Sequence, residues 1–164
     1  MITIRPIAES DIPGFHQALE AVCRERRFLA MLEAPPLEAV RSFVTNNLKQ
    51  GVPHFVAVEN DRVVGWCDTL PGDTNLGTEH VGRLGMGVVN SHRGQGLGRK
   101  LAETTLQLAR ARGFAKIELG VFASNSPAIA LYQKLGFVEE GRKRRARKVD
   151  GIYDDLVLMA LHLL

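Results

Sequence analysis

The segment SHRGQGLGRK, Ser91 to Lys100, places three glycines at alternate positions between a strand pattern and a helix pattern. Glycine lets the backbone adopt a positive φ and approach another group closely. Amide groups at the start of a helix attract anions, because the helix dipole is positive there. The segment therefore predicts a strand–loop–helix unit whose loop holds a phosphate. The alternative is a glycine-rich turn without a ligand.

Apolar periodicity along the chain predicts the order strand, two helices, three strands, helix, strand, helix and two strands. The expected helices span residues 10–27, 34–51, 98–113 and 124–137. Ser10 and Ser126 are expected to cap the first and the last of them. The expected strands lie at 2–7, in a hairpin over 54–70, at 79–89, at 116–122 and in a hairpin over 142–161.

The two predicted hairpins have tight-turn dipeptides, Asn60-Asp61 and Asp150-Gly151. Two αβ crossovers inside a mostly antiparallel plan predict a mixed α/β fold. We expect one domain over residues 1–164, with a central twisted sheet of six or seven strands and about four helices. An exposed final strand is expected to be able to pair across a homodimer.

Composition narrows the class of protein. The chain has 164 residues, of which 45% are hydrophobic and 24% charged, as is usual for a soluble globular domain. It has no apolar run long enough for a bilayer and no signal-peptide pattern, so a cytoplasmic protein without a membrane partner is expected. Cys23 and Cys67 are expected to be free thiols, and no metal-ligand spacing occurs.

Three phosphate-binding patterns compete for the glycine segment. A P-loop needs Gly-Lys-Ser/Thr, and here Gly98 is followed by Arg99 and Lys100. A dinucleotide fingerprint needs G-x-G-x-x-G, which the glycine spacing does not supply, although Glu118 lies about twenty residues downstream as that motif expects. The third pattern is Arg-x-x-Gly-x-Gly, formed by Arg93, Gly96 and Gly98.

The third pattern resembles the pyrophosphate-binding motif of the GNAT superfamily of acyl-CoA N-acyltransferases. A second segment, VFASNSPAIALYQKLGFVEEG (121–141), is similar to the later half of the same family pattern. The resemblance covers roughly Glu79 to the C-terminus. One departure is Asn90, where the family often has proline. EHVGRLGMGV and the tail 141–160 most resemble an amino-acid N-acetyltransferase branch.

The resemblance implies acetyl-CoA as the cofactor and assigns it a binding surface. Met86 and Val88 would offer backbone groups to the pantetheine arm, with the Val88 amide near the thioester oxygen in an oxyanion-hole role. Asn125 resembles the family asparagine that contacts the cofactor, and its alternative role is a helix cap or turn. Arg99 would contact an outer phosphate. The pyrophosphate would be bound by the backbone of one loop, which consists of Arg93, Gly94, Gln95, Gly96, Leu97 and Gly98.

The resemblance also favours Tyr132 as the general acid that gives a proton to the departing thiolate. The alternative is a core tyrosine on a helix. Glu79 and His80 precede the strand that leads to the cofactor, and either is a candidate base for the acceptor ammonium. A strand histidine is also commonly structural, and the amine could lose its proton to bulk solvent.

Two segments are candidates for recognising the acceptor. RERRFLAMLEAPP (24–36) mixes basic and apolar residues, which suits an amino-acid substrate, or it is a helix end with packed apolar side chains. RKRRARK (142–148) holds six of the 21 basic residues. Without this run, the chain would have 15 basic and 18 acidic residues. This basic run contacts an acidic group or is a solvated edge strand. Nucleic-acid binding is not expected, because no aromatic residues interleave the charges.

The function favoured by these observations is acetyl transfer from acetyl-CoA to the primary amine of a small molecule, such as an amino acid or related metabolite, by direct attack in a ternary complex. Acetylation of a protein N-terminus or lysine is the alternative within enzymes. A non-catalytic acyl-CoA-binding module is the alternative outside them, and it would not need Tyr132.

Overall fold

Seven strands form one sheet in the computed structural model, which describes all residues from Met1 to Leu164. Their order across the sheet is β1-β2-β3-β4-β5-β7-β6. All neighbours are antiparallel except β4 and β5. The strands are β1 (Ile2–Pro6), β2 (His54–Glu59), β3 (Arg62–Pro71), β4 (Val81–Val88), β5 (Lys116–Phe122), β6 (Val138–Val149) and β7 (Ile152–His162).

Four α-helices connect these strands: α1 (Ile12–Arg24), α2 (Leu37–Gln50), α3 (Leu97–Ala111) and α4 (Ser126–Lys134). The predicted element order and the mixed α/β class are confirmed. Helix α3 crosses between the parallel strands β4 and β5. Helix α4 leads from β5 to β6, which runs parallel to β5 on the far side of β7. None of the helices is long and apolar enough to cross a membrane.

Both predicted hairpin turns are confirmed by left-handed backbone conformations. Asn60 and Asp61 have φ values of 49° and 61°, and Asp150 and Gly151 have values of 51° and 80°. Asn, Asp and Gly adopt this region more readily than other residues, because of their short polar side chains or lack of one. These dipeptides therefore reverse the chain where the sequence placed the turns.

Both predicted serine caps are wrong. Helix α1 begins at Ile12 after a short 3-10 turn, where the Asp11 carboxylate accepts a hydrogen bond from the Ala8 amide and pairs with Arg5 at 2.6 Å. At α4 the Asn125 side chain, one residue before Ser126, accepts from the Ala128 amide at 3.3 Å. At α4 the neighbouring Asn125 thus makes the bond that was expected of serine, whereas no side chain caps α1.

The final strand is not an exposed edge, contrary to expectation. Strand β7 lies between β5 and β6, and the two edges of the sheet are β1 and β6. The hairpin turn at Asp150-Gly151 places the basic strand β6 outside and the apolar strand β7 inside. The apolar side chains of β7, such as Val157 and Met159, are buried there.

The two sheet faces are covered by different helices. Phe15 of α1 packs its ring 5.6 Å from that of Trp66 and 5.1 Å from that of His54. On the opposite face, Leu101 of α3 lies over Gly65. Because side chains alternate along a strand, Arg83, Gly85 and Gly87 of β4 face α1, and Leu84, Met86 and Val88 face α3.

We expect Leu101→Ala to lower the free energy of unfolding by about 3 kcal/mol, because Leu101 is fully buried and its removal leaves a cavity between α3 and the sheet. Urea unfolding followed by circular dichroism measures this value. Leu76→Ala makes the same chemical change at a residue that is 75% exposed, and it should change stability little. Equal losses in both variants would contradict the packing argument.

Candidate active site

Strands β4 and β5 pair over only three residues each and then separate. Val81, Gly82 and Arg83 lie beside Lys116, Ile117 and Glu118, and no pairing follows. Glycine is needed at the closed end, since a Cβ on Gly82 would lie 2.4 Å from Thr69 Cγ2. Beyond this point the strands border a cleft of about 1310 Å³, which the starts of α3 and α4 also line.

The separation leaves backbone groups of β4 without a strand partner on the cleft side. The Val89 amide donates to the Val64 carbonyl at 3.0 Å. Because hydrogen bonding alternates along an antiparallel pair, Gly85 and Gly87 also bond β3, whereas Met86 and Val88 point their amide and carbonyl groups toward the cleft. Both residues line it. An extended ligand chain can therefore bind here as a strand neighbour would.

The segment Arg93–Gly98, here called the cofactor loop, closes one end of the cleft. Gly94 and Gly96 have φ values of 74° and 78°, and a Cβ on either would meet no atom within 4 Å. A Cβ on Gly98 would lie 3.3 Å from Met86 Cε, so the first turn of α3 sits close against β4. The loop thus presents bare backbone at a helix N-terminus, which is a suitable site for an anion.

The Arg93 side chain points away from this anion site. Its guanidinium forms a bidentate ion pair with Glu25, at 2.6 and 2.5 Å, and Nε donates to the Val88 carbonyl at 2.9 Å. It also lies 4.5 Å from the centre of the Phe28 ring. The Arg93 side chain therefore anchors the cofactor loop to the segment after α1. The Glu25 partner was not identified from the sequence, because no local pattern links positions so far apart.

The other predicted cofactor residues differ in position. Gly94, Gly96, Leu97, Gly98 and Arg99 line the cleft, whereas Gln95 is exposed and does not. The Arg99 guanidinium pairs with Glu103 at 2.8 Å on the exposed side of α3. Asn125 lines the cleft and also caps α4, so both roles considered for it are compatible with its position.

Tyr132 lies on α4 facing the cleft and is only 8% exposed. Its ring packs 5.7 Å from that of Phe137. Burial raises the pKa of the Tyr132 hydroxyl above its usual range, and no side chain hydrogen-bonds it. The phenol is therefore protonated at neutral pH and available as a hydrogen-bond donor in the cleft.

The structure does not bring Glu79 and His80 into this cleft. They form a turn before Val81, at the closed end where β4 and β5 are still paired. The His80 carbonyl accepts hydrogen bonds from the amides of Ala115 and Lys116. The only sequence signal for a role of Glu79 and His80 in proton transfer was their position just before β4. Because β4 and β5 separate only after Arg83, that position lies outside the cleft.

Residues 25–36, here called the roof loop, contribute to the lining of the cleft and contact the cofactor loop through Glu25 and Phe28. Phe28, Leu29 and Ala30 line the cleft together with apolar residues of β5 and β7 such as Phe122 and Leu158. Arg26 pairs with Asp150 of the β6–β7 turn at 3.1 Å. With the Arg93–Glu25 pair, this contact ties the roof loop to two separate parts of the site.

The basic run divides between the cleft wall and solvent. Arg147 points inward: its guanidinium lies 3.6 Å from the centre of the Phe122 ring, donates to the Arg27 and Leu29 carbonyls, and pairs with Asp154 at 3.6 Å. Arg145 and Lys148 instead flank the exposed ring of Tyr153. One residue of the run is thus a support for the roof loop, and most of the others are solvated.

Comparison with known proteins agrees with this architecture. Residues 16–137 match the family model described as the Acetyltransferase (GNAT) family. A ribosomal-protein-alanine N-acetyltransferase from Brucella melitensis has a TM-score of 0.89 at 27% identity, over 98% of this chain and 99% of that one. A putative acetyltransferase from Salmonella typhimurium, solved with its cofactor acetyl-CoA, has a TM-score of 0.93 at 22% identity, over 100% and 95%.

Human N-acetyltransferase 8B is 36% identical over 54% of this chain, and the match spans 39% of that protein's own length. The family model covers most of the chain, including the cofactor loop, the strands that separate and helix α4. This chain therefore belongs to the acetyltransferase (GNAT) family.

Proposed function

We propose that this protein transfers the acetyl group of acetyl-CoA to the primary amine of a small molecule, an amino acid or related metabolite, in a ternary complex. The observation that carries the proposal is the arrangement around the strand separation. Bare backbone at Gly94 and Gly96 lies at one end. The backbone groups of Met86 and the amide of Val88, which have no strand partner, line the middle, and the protonated Tyr132 hydroxyl faces the same cleft.

These residues fit acetyl-CoA in order along its length. Amides of the cofactor loop are suited to the pyrophosphate, since positive-φ glycines leave room for an anion at the start of α3. Backbone groups of Met86 and Val88 are suited to the amide-containing pantetheine arm. The Salmonella protein of the same fold was solved with acetyl-CoA, which supports the same donor here. Bound acetyl-CoA supplies the activated acyl thioester.

The structure of the roof loop favours a small molecule as the acceptor. Phe28 and Leu29 form an apolar wall, and Arg93 and Arg147 hold this segment against the cofactor loop and β6. A wall that is tied down on both sides limits the space available to the acceptor, and its apolar residues suit an amino-acid side chain. The resemblance of the β4 segment and the tail to an amino-acid N-acetyltransferase branch points the same way.

The protein's own groups then have distinct roles in the reaction. The Val88 amide, directed to the cleft, stabilises negative charge on the acyl oxygen. Tyr132 donates its hydroxyl proton to the departing sulfur, because its buried phenol is protonated and no other side chain engages it. Glu79 and His80 lie outside the cleft, so this proposal assigns them no step.

Thiol release from acetyl-CoA, measured against free L-amino acids, polyamines, aminoglycosides and short peptides, tests the proposed acceptor class. Saturable release with one small-molecule class, and acetylated product of the expected mass, would support the proposal. Saturable release with peptides alone would replace it with protein acetylation. Tight acetyl-CoA binding without release for any amine would indicate a non-catalytic acyl-CoA-binding module.

We expect Tyr132→Phe to lower kcat by about a hundredfold while the Kd for acetyl-CoA stays unchanged, because only the transferable proton is lost. Stopped-flow or steady-state thiol release gives kcat, and calorimetry gives Kd. Tyr153→Phe removes a hydroxyl from an exposed tyrosine of β7 and should leave both values at the wild-type level. Wild-type turnover in Tyr132→Phe would rule out the general-acid role.

We expect Gly96→Ala to weaken acetyl-CoA binding about tenfold or more, because a methyl group at φ 78° strains the loop and projects into the cleft. Calorimetric titration measures this Kd. Gly151→Ala imposes a similar left-handed strain at φ 80° in the β6–β7 turn, also in open space, and should not alter the Kd. Equal effects on binding in both variants would contradict a phosphate site at Gly96.

A further inference from the structure

Each histidine and carboxylate that lines the cleft already has a polar partner. His92 is held between Glu59, at 2.7 Å, and the Ser91 hydroxyl, at 2.8 Å. The two lining carboxylates, Glu118 and Glu140, both pair with Lys116, at 3.0 and 2.9 Å. The remaining ionisable lining residues are arginines, a lysine and Tyr132, all of which are protonated at neutral pH.

One carboxylate directly behind the cleft has no such partner. Asp68 of β3 lies beside Gly85 of β4, and both face the α1 side of the sheet. The Asp68 side chain is 8% exposed and its carboxylate makes no hydrogen bond. An ideal Cβ on Gly85 would lie 3.5 Å from Asp68 Oδ1. Because Gly85 lines the cleft and has no side chain, nothing from that residue separates the carboxylate from an entering amine.

The groups around Asp68 leave its charge largely uncompensated. His54 Nε2 lies 4.0 Å from Oδ2, but burial lowers the His54 pKa to about 4, so this ring is neutral at pH 7. Asn47 donates to His54 Nδ1 at 3.2 Å, which leaves the proton on Nε2. That buried Nε2–H has no partner and points toward the carboxylate. The distance is too long for a hydrogen bond.

Burial raises the pKa of Asp68 to about 7, and the charge of Arg83 on β4 opposes this rise. Asp11 faces His54 from the turn before α1, and the Cys67 thiol is protonated because its burial raises its pKa. A carboxylate with a pKa near neutrality is a much better proton acceptor than an exposed aspartate. Asp68 is therefore both basic and present in a substantial ionised fraction at pH 7.

We propose that Asp68 is the general base of the acetyl transfer, reached by the substrate ammonium across Gly85, directly or through one water molecule. This inference rests on the proposed function of the same cleft. Asp68 takes a proton from the ammonium and passes it to solvent. The freed nitrogen lone pair forms the C–N bond, and the C–S bond breaks with its electrons on sulfur. Tyr132 gives its proton to that sulfur and regains one when the nitrogen loses its second proton, through water.

The kinetic test is the pH profile of kcat/KM for an amine that the wild type acetylates. We expect the wild-type profile to rise to a plateau above about pH 7, where Asp68 is ionised. Asp68→Asn should be slower by about a hundredfold at pH 7. Its rate should then increase tenfold per pH unit without that plateau, since only the free amine reacts. The overturning result is an unchanged profile in Asp68→Asn.

A second readout does not depend on activity. Carboxyl-carbon NMR of the free wild-type protein should show an aspartate that titrates near pH 7 and is missing from Asp68→Asn. Because the folded-state pKa is raised, the wild type loses stability through this group as pH rises from about 4 to 7. Asp68→Asn should lack that loss and unfold at a higher temperature at pH 8. The proposal would be overturned if the resonance that is missing from Asp68→Asn titrates near pH 4 in the wild type.

Glu118→Gln is the matched control, because Glu118 is a carboxylate that lines the cleft and is paired with Lys116. It should keep the wild-type plateau near pH 7, and loss of the plateau in this variant would transfer the role to Glu118.

Wild-type activity in the same series separates the two proposals. An inactive wild type contradicts the proposed function, whereas an active wild type with an active Asp68→Asn contradicts only the role of Asp68.

Discussion

The early separation of β4 from β5 is the constraint on which the whole site depends. After three paired residues, β4 keeps its hydrogen bonds to β3 and β5 keeps its hydrogen bonds to β7. Backbone groups at Met86 and Val88 then face a space instead of a neighbouring strand. Buried backbone groups are costly when they have no partner. The sheet is thus prepared for an extended ligand that supplies the missing hydrogen bonds.

Arginines hold the two sides of this space together. Arg93 joins the cofactor loop to the roof loop through Glu25 and Phe28, and Arg147 joins β6 to the roof loop through its carbonyls. Both guanidiniums also lie against aromatic rings. Planar guanidinium groups can make several directed hydrogen bonds and stack at once, which lysine cannot do. The roof loop and the cofactor loop are therefore coupled by contact, although they are far apart in sequence.

Charge is distributed unevenly around the cleft. Carboxylates on its wall are paired with Lys116, and the phenol of Tyr132 is kept protonated by burial. Asp68 is buried beside a neutral histidine and retains a raised pKa. The two groups for which we propose opposite roles in proton transfer share one physical cause, the removal of water, which favours the neutral form of each. On a phenol this preserves a donor, and on a carboxylate it creates a base.

Much of the fold was predictable because it depends on local pattern. The element order, the turns at Asn60-Asp61 and Asp150-Gly151, and the cofactor loop follow from periodicity and from residues that tolerate positive φ. The cap of α4 was misassigned to Ser126 because serine and the neighbouring Asn125 are both common capping residues. The α1 prediction failed because the Asp11 carboxylate bonds Arg5 and the Ala8 amide, and no side chain caps that helix.

The chain alone determined that Gly94 and Gly96 precede a helix that begins near Gly98, and that Tyr132 lies on the following helix, one strand later in the chain. Only the tertiary structure decided which groups meet. It separated Glu79 and His80 from the cleft, turned the Arg93 side chain toward Glu25, and set Asp68 behind Gly85. The physical reason is that the point where β4 and β5 separate, and the contacts of Arg93 and Asp68, involve segments far apart in the chain, which no local pattern in the sequence specifies.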